Sequence, residues 1–192
     1  MTHRTETPGR VMVAWIACNL LGWLVVAALS LRMHGSPFNS LGMLVMVAVP
    51  PALAQWLILR WVCGLTPLWL VTIPIGFLVF VGVVSAIPVG VWQFVDDEGI
   101  ATISTLYAVL GALIGVGQWL ILRRQFPATG IWIAASAAGT GIGFALVLAT
   151  GLINHSELAS YTVVMLTYAT LTGTGLRWLL ARARPMDQVH TA

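Results

Sequence analysis

The hexapeptide QWLILR occupies residues 55–60 and recurs letter for letter at residues 118–123. Each copy closes a long uncharged run and ends in an arginine. Uncharged stretches cover residues 11–31, 33–59, 61–95, 99–122, 125–156 and 158–176. A helix needs roughly 20 apolar residues to cross a bilayer. The runs therefore predict six transmembrane helices, near 11–31, 39–60, 67–89, 100–122, 129–153 and 159–181. Helices are the default because each backbone polar group must be satisfied within its own segment in lipid. The alternating pattern of a β-barrel is absent. The expected fold is an all-α membrane domain at 11–182, with short segments at 1–10 and 183–192 on either side.

Composition agrees with that reading. Mean hydropathy is +0.94. Hydrophobic residues make up 59% of the chain and charged residues only 8%, against about 25% charged in a soluble domain. The first span follows Arg4 and Arg10, as a signal peptide would. Its 21-residue apolar stretch exceeds the usual signal core and no clear cleavage site follows, so it reads as retained. Cys18 and Cys63 form no CxxC pattern and indicate neither a disulfide framework nor a zinc site.

Arginine placement predicts orientation. With six spans, Arg4, Arg10, Arg60, Arg123, Arg124, Arg177, Arg182 and Arg184 fall on one side and Arg32 on the other. The positive-inside rule then puts both termini in the cytoplasm. The net charge of +3 reflects this asymmetry and is not a nucleic-acid signal.

The end of the sixth span reads RWLLAR, residues 177–182. Letter alignment matches Gln55, Gln118 and Arg177, then Trp56, Trp119 and Trp178, then Arg60, Arg123 and Arg182. The odd-numbered spans also agree: Trp15 and Gly22, Trp69 and Gly76, and Trp132 and Gly139 share a W-x6-G spacing. The pattern predicts three tandem two-helix hairpins, about 11–60, 67–123 and 129–182, arranged around a pseudo-threefold axis along the membrane normal.

Each repeated position has a physical role. Trp and Arg four residues apart share a helix face. The ring can sit at headgroup depth while the guanidinium covers it or reaches lipid phosphate. Trp56, Arg60, Trp119, Arg123, Trp178 and Arg182 are thus expected interface anchors, and six of the nine Trp are expected in a belt at this depth. Ala48 and Ala52, Gly111 and Gly115, and Thr170 and Thr174 precede the aligned Gln, Gln and Arg by seven and three residues. Small residues let helix backbones approach closely in a membrane. Gln55, Gln118 and Arg177 are therefore expected to converge on packed protein. There they either satisfy carbonyls of the neighbouring hairpin or bind an anion or lipid phosphate.

Other features are more local. Ala135, Gly139 and Gly143 have the spacing of a tight packing face, at the centre of the bundle or at a self-association surface. Pro50, Pro51 and Pro74 are expected to bend or break their helices. Asn19 and Ser136 share a repeat position, filled by Ile73 in the second hairpin, and are expected interhelical hydrogen-bond partners. Asp96, Asp97 and Glu98 form an outer acidic loop. His34 and His155 lie in outer loops, with no metal-ligand spacing.

No catalytic constellation or cofactor site is expected. The chain has no Lys, so a retinal Schiff base is excluded. No His falls mid-span, which argues against a bis-His haem site and a Ser–His intramembrane protease. No acid falls within a span, which argues against a carboxylate proton relay. The three-hairpin plan is shared with mitochondrial-type carriers, but their P-x-[DE]-x-x-[KR] signature is absent and the repeats are shorter.

Residues 48–60 and 111–123, with a degenerate copy at 170–182, resemble a Q-W-L-x-L-R motif of uncharacterised bacterial multi-pass membrane proteins. The resemblance implies a bacterial inner-membrane location and brings no activity with it. Two functions stay open. One is a scaffold or assembly subunit that binds partner proteins, a second copy or anionic lipid. The other is a small-solute or ion pathway near Gln55, Gln118 and Arg177. A lipid-directed enzyme is a third idea, without a placed nucleophile.

Overall fold

A computed structural model describes residues 7–33, 40–86, 99–126 and 129–182. Arg4, His34, Asp96, Asp97, Glu98, Arg184 and the 183–192 tail lie outside the described residues. The described chain is helical, with no strand. Helix α1 spans Pro8–Met33, α2 Ser40–Cys63, α3 Thr72–Ser85, α4 Gly99–Leu122, α5 Ile131–Ala149 and α6 Glu157–Arg182. Two 3-10 segments, Pro67–Val71 and Leu152–Asn154, lead into α3 and toward α6.

Among the described residues, four segments are long and apolar enough to cross a membrane: Gly9–Leu29, Pro67–Ser85, Gly99–Leu122 and Ile131–Ala149. Ala48–Cys63 is a shorter apolar stretch. Many large aliphatic side chains point outward, among them Leu57, Ile75, Val81, Ile142 and Leu166. An outside this apolar fits a lipid environment better than water.

The prolines act less drastically than their positions suggest. Pro50 and Pro51 sit inside α2, which runs through them. Gly22 of α1 faces them so closely that an added Cβ would lie 2.9 Å from the Pro51 Cα. Pro74 occupies the first turn of α3, where its missing N–H costs little. The preceding turn is 3-10 rather than α, and this change of winding replaces the expected break.

Helices adjacent in the chain pack on one another, and α1 closes on α6. The starts of α1 and α5 and the ends of α2, α4 and α6 meet in one buried cluster, with Val11, Leu59, Leu122 and Leu179 among its members. The start of α1 and the end of α6 therefore lie at the same end of the bundle.

Glycine sets the closest approaches. Gly22, Gly76 and Gly139 each seat a backbone atom of the next helix where a side chain would otherwise stand. Gly22 meets Pro51, Gly76 meets Ile114 and Gly139 meets Tyr168. Along α5, Gly139 and Gly143 press on Tyr168 and Val164 of α6, and Ala135 faces Gly175. The expected packing face is thus used inside the fold. The opposite side of α5 packs as tightly on α4, where Gly111 and Gly115 meet Thr140 and Ser136.

Gly139→Val tests this geometry. An added Cβ would lie 2.8 Å from the Tyr168 Cα, a backbone atom that cannot rotate aside. Overpacking of this kind costs about 1–3 kcal/mol. The variant should unfold at lower temperature in detergent, whereas Gly130→Ala, which meets nothing within 4 Å, should not. Equal melting of the two variants would contradict the packing described here.

Candidate functional site

The buried cluster at the shared end is built around three tryptophans. Trp15, Trp69 and Trp132 are each 0% exposed. Their rings meet edge-on, with centroids 5.6 Å apart for Trp15 and Trp132 and 5.9 Å for Trp69 and Trp132. An indole N–H only donates, so each buried ring needs an acceptor. A carboxamide supplies one and can also donate, which makes Gln a neutral connector in an apolar interior.

Gln55 and Gln118 take that role. Trp69 Nε1 donates to Gln55 Oε1 at 3.2 Å, and Trp132 Nε1 donates to Gln118 Oε1 at 2.8 Å. Gln118 Nε2 donates to the same Gln55 oxygen at 3.1 Å. Gln55 Nε2 donates to Asn19 Oδ1 at 2.8 Å, and Asn19 Nδ2 donates to the Trp15 carbonyl at 2.9 Å. Side chains from α1, α2, α4 and α5 and the 3-10 turn before α3 thus form one continuous neutral network. Asn19 makes the expected interhelical bond, but with Gln55. The Ser136 hydroxyl has no partner within the protein.

Arg177 does not join this network. It is exposed, while Gln55 and Gln118 are 1% and 0% exposed. The third tryptophan uses Thr172 instead: Trp15 Nε1 donates to Thr172 Oγ1 at 3.0 Å. Thr172 Oγ1 in turn donates to the Tyr168 carbonyl at 2.7 Å. The reason is chemical. A guanidinium has no acceptor, so Arg in that place would leave the Trp15 N–H unsatisfied.

Burial supports the same register. The buried positions 48, 51, 52, 55, 58 and 59 of α2 have buried counterparts at 165, 168, 169, 172, 175 and 176 in α6, which also buries 160, 164, 173 and 179. Gly22, Gly76 and Gly139 also pack on residues 51, 114 and 168, four before Gln55, Gln118 and Thr172. Letter alignment of RWLLAR with QWLILR therefore misplaces the third position by five residues. A usable signal was present in the sequence. The separation from Gln55 to Trp69 equals that from Gln118 to Trp132, at 14 residues, which marks Gln and the following Trp as partners.

The Trp–Arg pairs form as expected. Arg60 lies over Trp56 with its guanidinium carbon 5.0 Å from the ring centroid, Arg123 over Trp119 at 4.9 Å and Arg182 over Trp178 at 3.9 Å. These rings are half-buried and the arginines exposed. The expected belt of six Trp is overturned for Trp15, Trp69 and Trp132, which are interior.

A shallow groove of about 500 Å³ runs between α4 and α5 on the outside of the bundle. Small side chains line it, including Ser104, Ala108, Ala134, Ala138 and Ala145. The Ser104 hydroxyl oxygen is buried there without a hydrogen-bond partner. Among the described residues no group of His, Cys, Asp and Glu is placed to hold a metal ion. No protein-family model matches the chain, and comparisons with curated proteins and with solved structures find no match.

Substitutions separate the two registers. Gln118→Leu orphans the Trp132 N–H and should cost about 1–3 kcal/mol. Thr172→Val should cost a similar amount through Trp15. Arg177→Gln, at an exposed position, should stay within about 0.5 kcal/mol of the parent. Unfolding in detergent followed by tryptophan fluorescence measures all three. An Arg177 effect larger than those at Gln118 and Thr172 would restore the letter alignment.

Proposed function

We propose that this chain is a six-span protein of a bacterial inner membrane, built from three hairpin repeats with both termini cytoplasmic, that serves as a non-enzymatic scaffold or assembly subunit. The three equivalent glycine contacts and the three Trp-to-acceptor bonds support the repeat. The polar sixth helix is compatible with a span. Thr162, Thr167, Thr172 and Thr174 each donate to a carbonyl four residues earlier, at 2.7–2.8 Å. Hydroxyls satisfied within their own helix carry little penalty in lipid.

The observation that carries the scaffold reading is the sealed interior at the Arg-bearing end. A pathway for solutes needs side chains able to release their partners to a passing ion or molecule. Here the candidate pathway residues, Gln55 and Gln118, bond to each other and to buried indoles. Arg177, the charged group that would attract an anion, lies outside. The groove between α4 and α5 is the surface offered to a partner transmembrane helix, since its alanines and Gly141 allow close backbone approach. The Trp–Arg pairs hold the bundle at headgroup depth and favour anionic lipid.

Two measurements test this. Purified protein in liposomes should pass neither small ions nor small neutral solutes above the rate of empty vesicles. In a background with Cys18 and Cys63 replaced by Ser, Ala138→Cys in the groove should cross-link in native membranes to one discrete species. Val79→Cys on exposed α3 should not. Solute flux through the protein, or equal cross-linking at the two positions, would overturn the reading.

A further inference from the structure

The acceptors of the three buried indoles set one register for the three even-numbered helices. Gln55, Gln118 and Thr172 each take an indole N–H. Five residues on from each stand Arg60, Arg123 and Arg177. These arginines are equivalents, and all three are exposed. The residue directly after each acceptor differs: it is Trp56, Trp119 and Gly173. Arg60 and Arg123 lie over their indoles, with centroids at 5.0 and 4.9 Å. Among the described residues no ring lies beneath Arg177. The reason is steric. A Cβ added at Gly173 would lie 3.0 Å from Trp15 Cδ1 and 3.5 Å from Met12 Cγ. Helix α1 fills the space that a side chain at 173 would need, so the arginine one turn beyond is left uncovered.

The same contact locates Arg177. Residues four apart share a helix face, so Arg177 lies on the α1 side of α6. Helix α1 begins where α6 ends. One turn beyond Met12 toward that end is the first turn of α1, where Gly9 stands on the face of Met12. Among the described residues, a Cβ added at Gly9 meets nothing within 4 Å. The seam between α6 and α1 is therefore open where Arg177 reaches it. No loop joins these two helices across it. At the end of the first hairpin, by contrast, the connection to α3 covers the tryptophan, and Trp56 Nε1 donates to the Leu65 carbonyl at 3.3 Å. Further from the end the seam is flanked by apolar surface. Val13, one turn after Gly9, is 68% exposed, and Leu166, two turns before Gly173, is 46% exposed.

Charge decides what completes this seam. Arg10, Arg60, Arg123, Arg124, Arg177 and Arg182 are exposed at this end. The only carboxylate among the described residues, Glu157, opens α6 at the opposite end. A matching partner carries negative charge at one end and an apolar chain behind it. We propose that the seam between α6 and α1 binds an anionic phospholipid, with Arg177 holding the phosphate beside Gly9 and an acyl chain lying along Val13 and Leu166. A guanidinium presents a planar fork of N–H donors that matches phosphate oxygens. Arg60 and Arg123 rest on indoles of their own chain, whereas Arg177 takes its partner from the bilayer. The site rests on the reading that the arginine-bearing end lies at headgroup depth, and not on the scaffold role.

Native mass spectrometry of the full chain in detergent, titrated with phosphatidylglycerol or phosphatidylcholine, tests this. The parent should bind phosphatidylglycerol more tightly than phosphatidylcholine. Arg177→Gln should weaken the tightest phosphatidylglycerol adduct about tenfold, the loss of roughly one charge-assisted hydrogen bond. Arg124→Gln removes the same charge from the same end and should leave that adduct unchanged. Melting of Arg177→Gln at the parent's temperature in lipid-free detergent shows that the loss is one of binding. Equal weakening by Arg177→Gln and Arg124→Gln would overturn the site, since bulk charge would then explain it. Displacement of the adduct by inorganic phosphate would also overturn it, by identifying a free-anion site. A preference for phosphatidylglycerol that survives Arg177→Gln defeats this site alone. No preference in the parent defeats the headgroup-depth reading with it.

Discussion

A buried indole N–H must have an acceptor, and three indoles are buried here at one end of the bundle. That requirement organises the molecule. It explains why carboxamides, which accept and donate, stand on α2 and α4, and why the equivalent place on α6 holds a hydroxyl. Apolar residues alone would fill the same volume. Their hydrophobic attraction is non-directional and indifferent to which atoms meet. A hydrogen bond to a buried ring is not indifferent, since a shift of one residue leaves a donor without a partner.

The glycines make the network reachable. Helices whose backbones touch at Gly22, Gly76 and Gly139 are close enough for side chains one turn away to meet across the interface. Polar bonding and close packing are thus two parts of one constraint where α1 meets α2, α3 meets α4 and α5 meets α6. The W-x6-G spacing encodes both: Trp supplies the donor and Gly, two turns along, sets the approach. This pairing was legible in the letters. What was not legible was the destination of the Trp rings, because Trp near a helix end reads equally well as an interfacial anchor. Trp56, Trp119 and Trp178 are half-buried, with an arginine stacked on each. Trp15, Trp69 and Trp132 are fully buried, and for Trp69 and Trp132 the distinguishing sign is the glutamine 14 residues upstream.

The all-helical fold and the positions of the helices followed from the uncharged runs with little ambiguity. The site was half legible. Gln55 and Gln118 lie in packed protein, as the small residues that precede each on the same face imply. Letter identity of the hexapeptide aligns Arg177 with them, but a guanidinium has no acceptor and cannot replace glutamine there. Thr172 is unremarkable as a letter among the many threonines of α6. It becomes visible only once a donor, Trp15, is known to need it.

The five-residue offset has a geometric consequence. Trp56 follows Gln55 directly and Trp119 follows Gln118 directly, but Trp178 lies six residues beyond Thr172. At about 1.5 Å of rise per residue, the third Trp–Arg pair stands roughly 7 Å further along its helix than the other two. If the network is taken as level, Arg60 and Arg123 share one depth and Arg182 reaches beyond it. Arg177, one turn before Arg182, then occupies the depth of the other two arginines more nearly than that of the glutamines. Its exposure follows directly. The sixth helix thus carries two arginines, Arg177 level with Arg60 and Arg123 and Arg182 further along, and its buried polar partner is supplied by threonine.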